Sequence, residues 1–97
     1  MIETLTFTYP ASSQVERRAH VGVVASGNCE LLLEPHSEQH ASVVVRTSAG
    51  GYGATWGAVL DRFFARHPVA VRLEIDDFGA TPAVVAMRLE QALEQAR

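Results

Sequence analysis

A small set of side chains in this 97-residue sequence has the types and spacing that metal, acid–base or nucleophilic chemistry requires. His36 and His40 have the three-residue gap that binds a metal ion when both histidines lie on one helix. Here the gap lies in a polar segment that follows Pro35, and no third ligand is close in sequence. His20 in a predicted strand and His67 beside a predicted helix end require no function. We therefore interpret His36 and His40 as residues of a solvated loop and expect no metal site.

Asp76 and Asp77 are adjacent carboxylates at the end of a predicted strand. Neighbouring side chains of a strand point to opposite faces, so these two cannot share a proton as an acid–base pair would. We expect them to end the strand, to cap the turn at Phe78 and Gly79, and to place negative charge before the last helix. Contact with a partner is the remaining alternative.

The candidate nucleophiles lack the companions that would activate them. Ser26 has no Gly-x-Ser-x-Gly motif around it and no evident triad partner, and Cys29 opens an apolar strand, where cysteine is usually a small buried hydrophobe. The chain has no lysine, which excludes a Schiff base, a lysine base and a P-loop lysine. The glycine-rich segment 49–53 therefore fits a flexible connection better than a phosphate cradle. From the residues alone, no self-contained active site is predicted.

Five segments show the alternation or β-branched composition of strands. They are Ile2–Tyr9, Ala19–Val24, Cys29–Leu33, Ser42–Thr47 and Val69–Asp76. Between the second and third, Ser26, Gly27 and Asn28 are turn formers that separate two apolar runs. This pattern predicts a hairpin with Ser26 at its exposed tip and Gly27 at a positive φ.

Two segments show the spacing of amphipathic helices. The first ends at His67-Pro68, because the residue before a proline is pushed out of the helical region. The second opens with Thr81 as N-cap and Pro82 at the first helical position. Their apolar stripes are Trp56, Val59, Leu60, Phe63 and Phe64, and Val85, Leu89, Ala92, Leu93 and Ala96. The order ββββαβα predicts an α+β fold, with an antiparallel-rich sheet of about five strands and two helices packed on one face.

Composition narrows the class of protein further. With 47% hydrophobic and 20% charged residues, the chain can bury a core, and we expect residues 1–97 to form one domain. A net charge of -3 lacks the basic footprint of a nucleic-acid binder. One cysteine excludes an internal disulfide, and no leader or long apolar run is visible. We expect a cytoplasmic protein without a membrane span.

Three stretches together carry a family resemblance: Val23–Pro35 with its Ser-Gly turn, Ile75–Pro82, and Arg88–Glu94. The N-terminal Glu3–Phe7 adds to it. The chain resembles the acyl carrier, or delta, subunits of bacterial malonate decarboxylases, nearly end to end. It is more distantly similar to the gamma, acyl carrier subunits of citrate lyases. A Ser-Gly pair alone carries no specificity, so the resemblance depends on the conjunction of the blocks.

The resemblance implies a carrier that is not an enzyme by itself. In the family, the serine of the turn, here Ser26, bears 2'-(5''-phosphoribosyl)-3'-dephospho-coenzyme A through a phosphodiester, which a dedicated transferase installs with loss of pyrophosphate. By the resemblance, the terminal thiol of this group carries an acetyl group. An acyl-transferase subunit exchanges the acetyl for malonyl, and decarboxylase subunits then convert the malonyl back to acetyl. Gly27 leaves room at the turn for the incoming phosphate. The expected partners are therefore these subunits and the transferase, in a hetero-oligomer.

Departures and alternatives accompany this expectation. The Asp-Ser-Leu motif of fatty-acid carriers is absent, so a four-helix fold with phosphopantetheine is not supported. Asn28 and Cys29 stand where relatives are expected to have other residues, and neither receives a role here; an exposed Cys29 would be free to react with the thiol of the arm. A citrate-lyase-type carrier is the nearest alternative. An interaction module without a cofactor, docking through edge strands or the Asp76-Asp77 corner, is the alternative from another class.

Overall fold

The structure is a computed structural model that describes residues 3–97. It contains one sheet and two helices. The elements are β1 (Glu3–Pro10), β2 (Ser13–Gln14), β3 (Ala19–Gly22), β4 (Asn28–Pro35), β5 (His40–Thr47), α1 (Gly53–Arg66), β6 (Val69–Phe78) and α2 (Pro82–Ala96). The predicted α+β class and element order are confirmed, with the short β2 as an additional strand.

The sheet is mixed, with the order β1-β5-β6-β4-β3. Three pairings are antiparallel: β1 with β5, β3 with β4, and β4 with β6. The pairing of β5 with β6 is parallel, because α1 returns the chain to the starting end of the sheet before β6 begins. The two-residue β2 also pairs in parallel with the first residues of β6. The sheet is thus antiparallel-rich, as predicted, but not purely antiparallel.

The core lies between one face of the sheet and the two helices. In β5 every second residue is buried, and in β1 the threonines are exposed while Leu5, Phe7 and Tyr9 are half-buried. The predicted stripe of α2 is buried in full, and that of α1 is buried except for the half-buried Val59. Burying these stripes is what holds the helices on the sheet.

Strand ends differ from the predictions at the two places that surround Ser26. β3 ends at Gly22 instead of Val24, because Gly22 has a φ of +79° and leaves the extended conformation. β6 continues through Phe78, so Asp76 and Asp77 do not end that strand. The predicted start of the first strand at Ile2 lies outside the described residues. No helix within residues 3–97 is long and apolar enough to cross a membrane.

Candidate functional site

Ser26 lies in the five-residue connection between β3 and β4, and it is exposed, as predicted. The N–H of Asn28 donates to the carbonyl oxygen of Ala25 at 2.9 Å, which closes a four-residue turn. Gly27 has a φ of +74°, and Ser26 does not have a positive φ. A positive φ at the third residue alone is typical of a type II turn, whose third position favours glycine. The predicted turn is therefore confirmed, within a connection longer than the three residues expected.

The end of β6 anchors this turn. The N–H of Gly27 donates to the carbonyl oxygen of Phe78 at 2.7 Å. Asn28 also forms an isolated bridge with Gly79, just beyond the strand. The backbone on the C-terminal side of Ser26 is thus fixed to the central strand, while the Ser26 hydroxyl makes no hydrogen bond to any residue in the described part of the chain. This combination presents an accessible hydroxyl on a rigid base.

Asp77 holds the segment that anchors the turn. Its carboxylate is buried, accepts a hydrogen bond from the Thr47 hydroxyl at 2.8 Å, and accepts the N–H groups of Gly79 and Ala80 at 3.3 and 3.0 Å. Asp76 points to the other face and pairs with Arg46 at 2.8 Å. The predicted divergence of the two carboxylates and the capping of the turn by Asp77 are therefore confirmed.

Gly22 sets how closely the two strands approach at the base of the connection. A Cβ atom at this position would lie 2.0 Å from the carbonyl oxygen of Cys29 and 3.3 Å from Nε of Arg88. No side chain fits in that space. The β3 strand therefore has to end on glycine for the connection to fold back here.

Arg88 of α2 reaches the base of the same turn. Its Nε and Nη2 atoms each lie 3.3 Å from Oδ1 of Asn28, and Nη1 donates to Gln91 at 3.0 Å. Oδ1 of Asn28 also accepts the N–H of Cys29 at 2.8 Å. The sequence alone predicts no contact between Arg88 and Asn28. One signal in the sequence pointed to Arg88: it opens the third block of the family resemblance, Arg88–Glu94.

Cys29 is buried, with 0% of its surface exposed. Burial, together with the negative charge of Asp77, raises the pKa of the thiol to about 11, although the positive charge of Arg88 acts in the opposite direction. A buried, protonated thiol is a poor nucleophile. Cys29 is thus a core residue and is not exposed to a thiol carried on the surface.

The predicted solvated loop at His36 and His40 is wrong: His36 is buried and packs against His40, which is half-buried and begins β5. The rings of His36 and His40 are 4.4 Å apart between centroids, and Nδ1 of His36 accepts the N–H of Glu38. Among residues 3–97, no group of three potential ligands surrounds a common point. His20 pairs with Glu30 at 2.8 Å, and His67 pairs with Glu90 at 3.2 Å.

The glycine-rich segment before α1 is a connection rather than a free cradle. The N–H of Gly51 donates to the Glu3 carboxylate at 3.2 Å, and Tyr52 caps α1 without a side-chain hydrogen bond. At least one backbone N–H group of the glycine-rich segment is therefore bound within the chain and is not free for a phosphate.

Comparisons with known proteins find relatives over nearly the whole chain. The family model described as malonate decarboxylase delta subunit (MdcD) matches residues 16–96. The malonate decarboxylase acyl carrier protein of Burkholderia cepacia is 52% identical over 94 residues, covering 94% of this chain and 87% of its own. That of Azotobacter vinelandii is 46% identical over 95 residues, covering 97% of this chain and 96% of its own.

A solved structure is similar over the whole fold. One chain in the crystal structure of a Pseudomonas malonate decarboxylase hetero-tetramer in complex with malonate superposes with a TM-score of 0.94 and 43% sequence identity. The match covers 99% of this chain and 100% of that one. A family model over most of the sequence and relatives near half identity show that this chain belongs to the malonate decarboxylase acyl carrier proteins, which are carriers rather than catalytic subunits.

Proposed function

We propose that this chain carries acetyl and malonyl groups for a malonate decarboxylase, on a prosthetic group joined to Ser26. The group is 2'-(5''-phosphoribosyl)-3'-dephospho-coenzyme A, whose terminal thiol holds the acyl group as a thioester when it is bound. The observation that carries the proposal is the exposed Ser26 hydroxyl, without a hydrogen bond, on a turn that is anchored to β6.

The surroundings of Ser26 fit this attachment. A Cβ built on Gly27 would meet no atom within 4 Å apart from those of its two chain neighbours, so no other part of the chain fills the space beside Gly27. The connection from Val23 to Gly27 contains no titratable side chain besides the serine hydroxyl. Val23 and Val24 are 51% and 44% exposed, which leaves an uncharged surface next to the hydroxyl. A modifying enzyme can therefore approach Ser26 without displacing a side chain of the core.

Attachment requires help from outside the chain. Ser26 Oγ forms a bond to the phosphorus nearest the ribose of a triphosphoribosyl precursor, the bond from that phosphorus to the leaving pyrophosphate breaks, and the serine proton passes to a base. Since the Ser26 hydroxyl has no hydrogen bond to a base in the described part of the chain, we expect the transferase to supply the base. This division of labour agrees with a carrier that positions a group and leaves the chemistry to its partners.

We further propose that the chain assembles with acyl-transferase and decarboxylase subunits in the cytoplasm. The support is the similarity to a chain within a Pseudomonas malonate decarboxylase hetero-tetramer. An arm on a rigid tip raises the effective concentration of the acyl group at each partner site.

Substitution of Ser26 tests this function. We expect Ser26→Ala to abolish malonate decarboxylation by the complex reconstituted with the transferase, because the attachment oxygen is lost. Ser37→Ala is the matched control, since Ser37 is also exposed in a connection between strands. The free energy of unfolding of both variants should lie within about 0.5 kcal/mol of the wild-type value, because neither substitution removes a buried contact. Activity retained by Ser26→Ala would refute the proposal.

A further inference from the structure

The arginines of this chain differ in how their charges are compensated. Four of the eight, at positions 17, 18, 46 and 66, lie within salt-bridge distance of a carboxylate. Within residues 3–97, Arg62, Arg72, Arg88 and Arg97 do not, and of these Arg88 alone is half-buried while the others are exposed. A partly buried guanidinium without a counter-charge is costly, because burial removes water without supplying an anion.

The contacts of Arg88 leave its anion-binding edge poorly satisfied. Nε and Nη2 form the edge that binds oxyanions through two parallel hydrogen bonds. Here both point to one amide oxygen, Oδ1 of Asn28, at 3.3 Å each, and that oxygen already accepts the Cys29 N–H at 2.8 Å. An amide oxygen has two lone pairs, so three donors exceed its capacity. The edge therefore retains the ability to bind an anion.

The neighbouring carboxylates do not neutralise Arg88. Asp77 is occupied by Thr47 and by backbone N–H groups of the β6–α2 connection. Glu90 and Glu94 line the same shallow depression as Arg88, but Glu90 pairs with Arg66 at 2.7 Å and His67 at 3.2 Å. Neither glutamate lies within salt-bridge distance of Arg88. The guanidinium is thus a local positive site on a chain of net charge -3.

Arg88 contacts the residue that ends the turn of the proposed attachment point. Asn28, which it contacts, is two residues beyond Ser26, a separation of at most about 7 Å along the chain. A phosphodiester on Ser26 Oγ carries one negative charge on two non-bridging oxygens. The geometry and charge of that group match the free edge of the guanidinium.

Building on the attachment proposed above, we infer that Arg88 binds the phosphodiester formed on Ser26. Nε and Nη2 would donate to its non-bridging oxygens in place of the long contacts to Asn28, with no covalent bond made or broken. Arg88 is then a positioning residue: it fixes the first atoms of the arm against the end of β3 and leaves the remainder free to reach the partner sites.

Side-chain NMR of the wild-type chain tests this inference. The uniformly ¹⁵N-labelled chain is compared before and after modification by the transferase, with intact mass establishing first that Ser26 is loaded. The Nε–Hε signal of Arg88 is the one that is absent from the spectrum of unmodified Arg88→Lys. The signal of Arg62, an exposed arginine that serves as the control, is identified in the same way with Arg62→Lys. Neither variant has to be modified.

We expect loading to move the Arg88 Hε signal downfield and to slow its exchange with water about tenfold or more, as a charge-assisted hydrogen bond does. The Arg62 signal should not change. An unchanged Arg88 signal in a chain whose mass shows full loading would overturn the inference and leave the attachment intact. Absence of any adduct in the presence of active transferase would instead refute the proposed function, and the inference with it.

Discussion

At Ser26, the surroundings of the hydroxyl differ from those of an activated nucleophile. An activated serine is hydrogen-bonded to a base that takes its proton. The Ser26 hydroxyl makes no hydrogen bond to any part of the chain that the structure describes, and no titratable side chain shares its connection. Ser26 is therefore accessible but not activated by the chain, as the proposed attachment by a separate transferase requires.

Gly22 offers a test of the close approach at the base of the connection. We expect Gly22→Ala to destabilise the protein by about 2–5 kcal/mol, from a left-handed backbone together with a Cβ placed 2.0 Å from a carbonyl oxygen. Gly51→Ala is the matched control, since Gly51 has a φ of +86° but open space around it. This substitution should lower the free energy of unfolding by about 1–2 kcal/mol. Urea unfolding measures both, and equal costs would show that the close approach is absent.

Cys29 offers a test of burial next to the turn, with a defined pH dependence. A thiol pKa of about 11 instead of 9.0 lowers the thiolate fraction at pH 8 about a hundredfold. A more basic thiolate is also more nucleophilic, so the reaction rate falls by less than the thiolate fraction does. We expect iodoacetamide to alkylate the native chain at least about tenfold more slowly than the urea-unfolded chain, which is its own control. The native rate should still rise with pH beyond 9. Equal native and unfolded rates at pH 8 would contradict the structure.

At the scale of elements, the β6–α2 connection organises the site. The carbonyl that anchors the turn belongs to Phe78, the last residue of β6, and Asp77 of the same strand fixes the conformation of the connection through three hydrogen bonds. Helix α2 then follows its N-cap Thr81, whose hydroxyl accepts the Val84 N–H at 3.2 Å, and brings Arg88 to the turn about two helical turns later. Three separate stretches of sequence are thereby joined around one serine.

Asp77→Asn tests the role of this connection. We expect a loss of about 2 kcal/mol in the free energy of unfolding, because a neutral amide cannot accept all three hydrogen bonds of the buried carboxylate. The Gly27 amide, which donates to Phe78, should also exchange with solvent faster. Asp61→Asn, at an exposed carboxylate that contacts only the Tyr9 hydroxyl among the described residues, should cost less than about 1 kcal/mol. Equal losses would show that Asp77 does not hold the connection.

The predictable parts of the fold are those that depend on local pattern. Alternation specified the buried face of Val69–Ile75, and Thr81-Pro82 specified the start of α2, because strand faces and helix caps follow from neighbouring residues. The two-residue β2 has no pattern long enough to detect. The contact between Arg88 and Asn28 joins residues 60 apart in sequence, and only the packing of α2 brings them together.

At the scale of the whole molecule, the turn that holds Ser26 lies at one end of the strands of the sheet. The described chain measures 32 × 22 × 20 Å, and the connection that holds Ser26 joins two strands of the sheet. Under the proposed function, attachment of a flexible arm at this turn would confine the acyl group to a volume that each partner site can reach. A net charge of -3 and the absence of lysine agree with a chain that contacts other proteins rather than nucleic acid.

The central claim, that Ser26 carries the prosthetic group, is tested most directly by the mass of the chain produced together with its transferase. Trypsin should release residues 19–46 as one peptide, which contains Ser26, Ser37 and Ser42, so fragmentation of that peptide has to locate the adduct. The account predicts an intact mass increased by one phosphoribosyl-dephospho-coenzyme A group, with the increment on Ser26 and absent from Ser26→Ala. An unmodified mass beside active transferase, or an increment on Ser37 or Ser42, would contradict it.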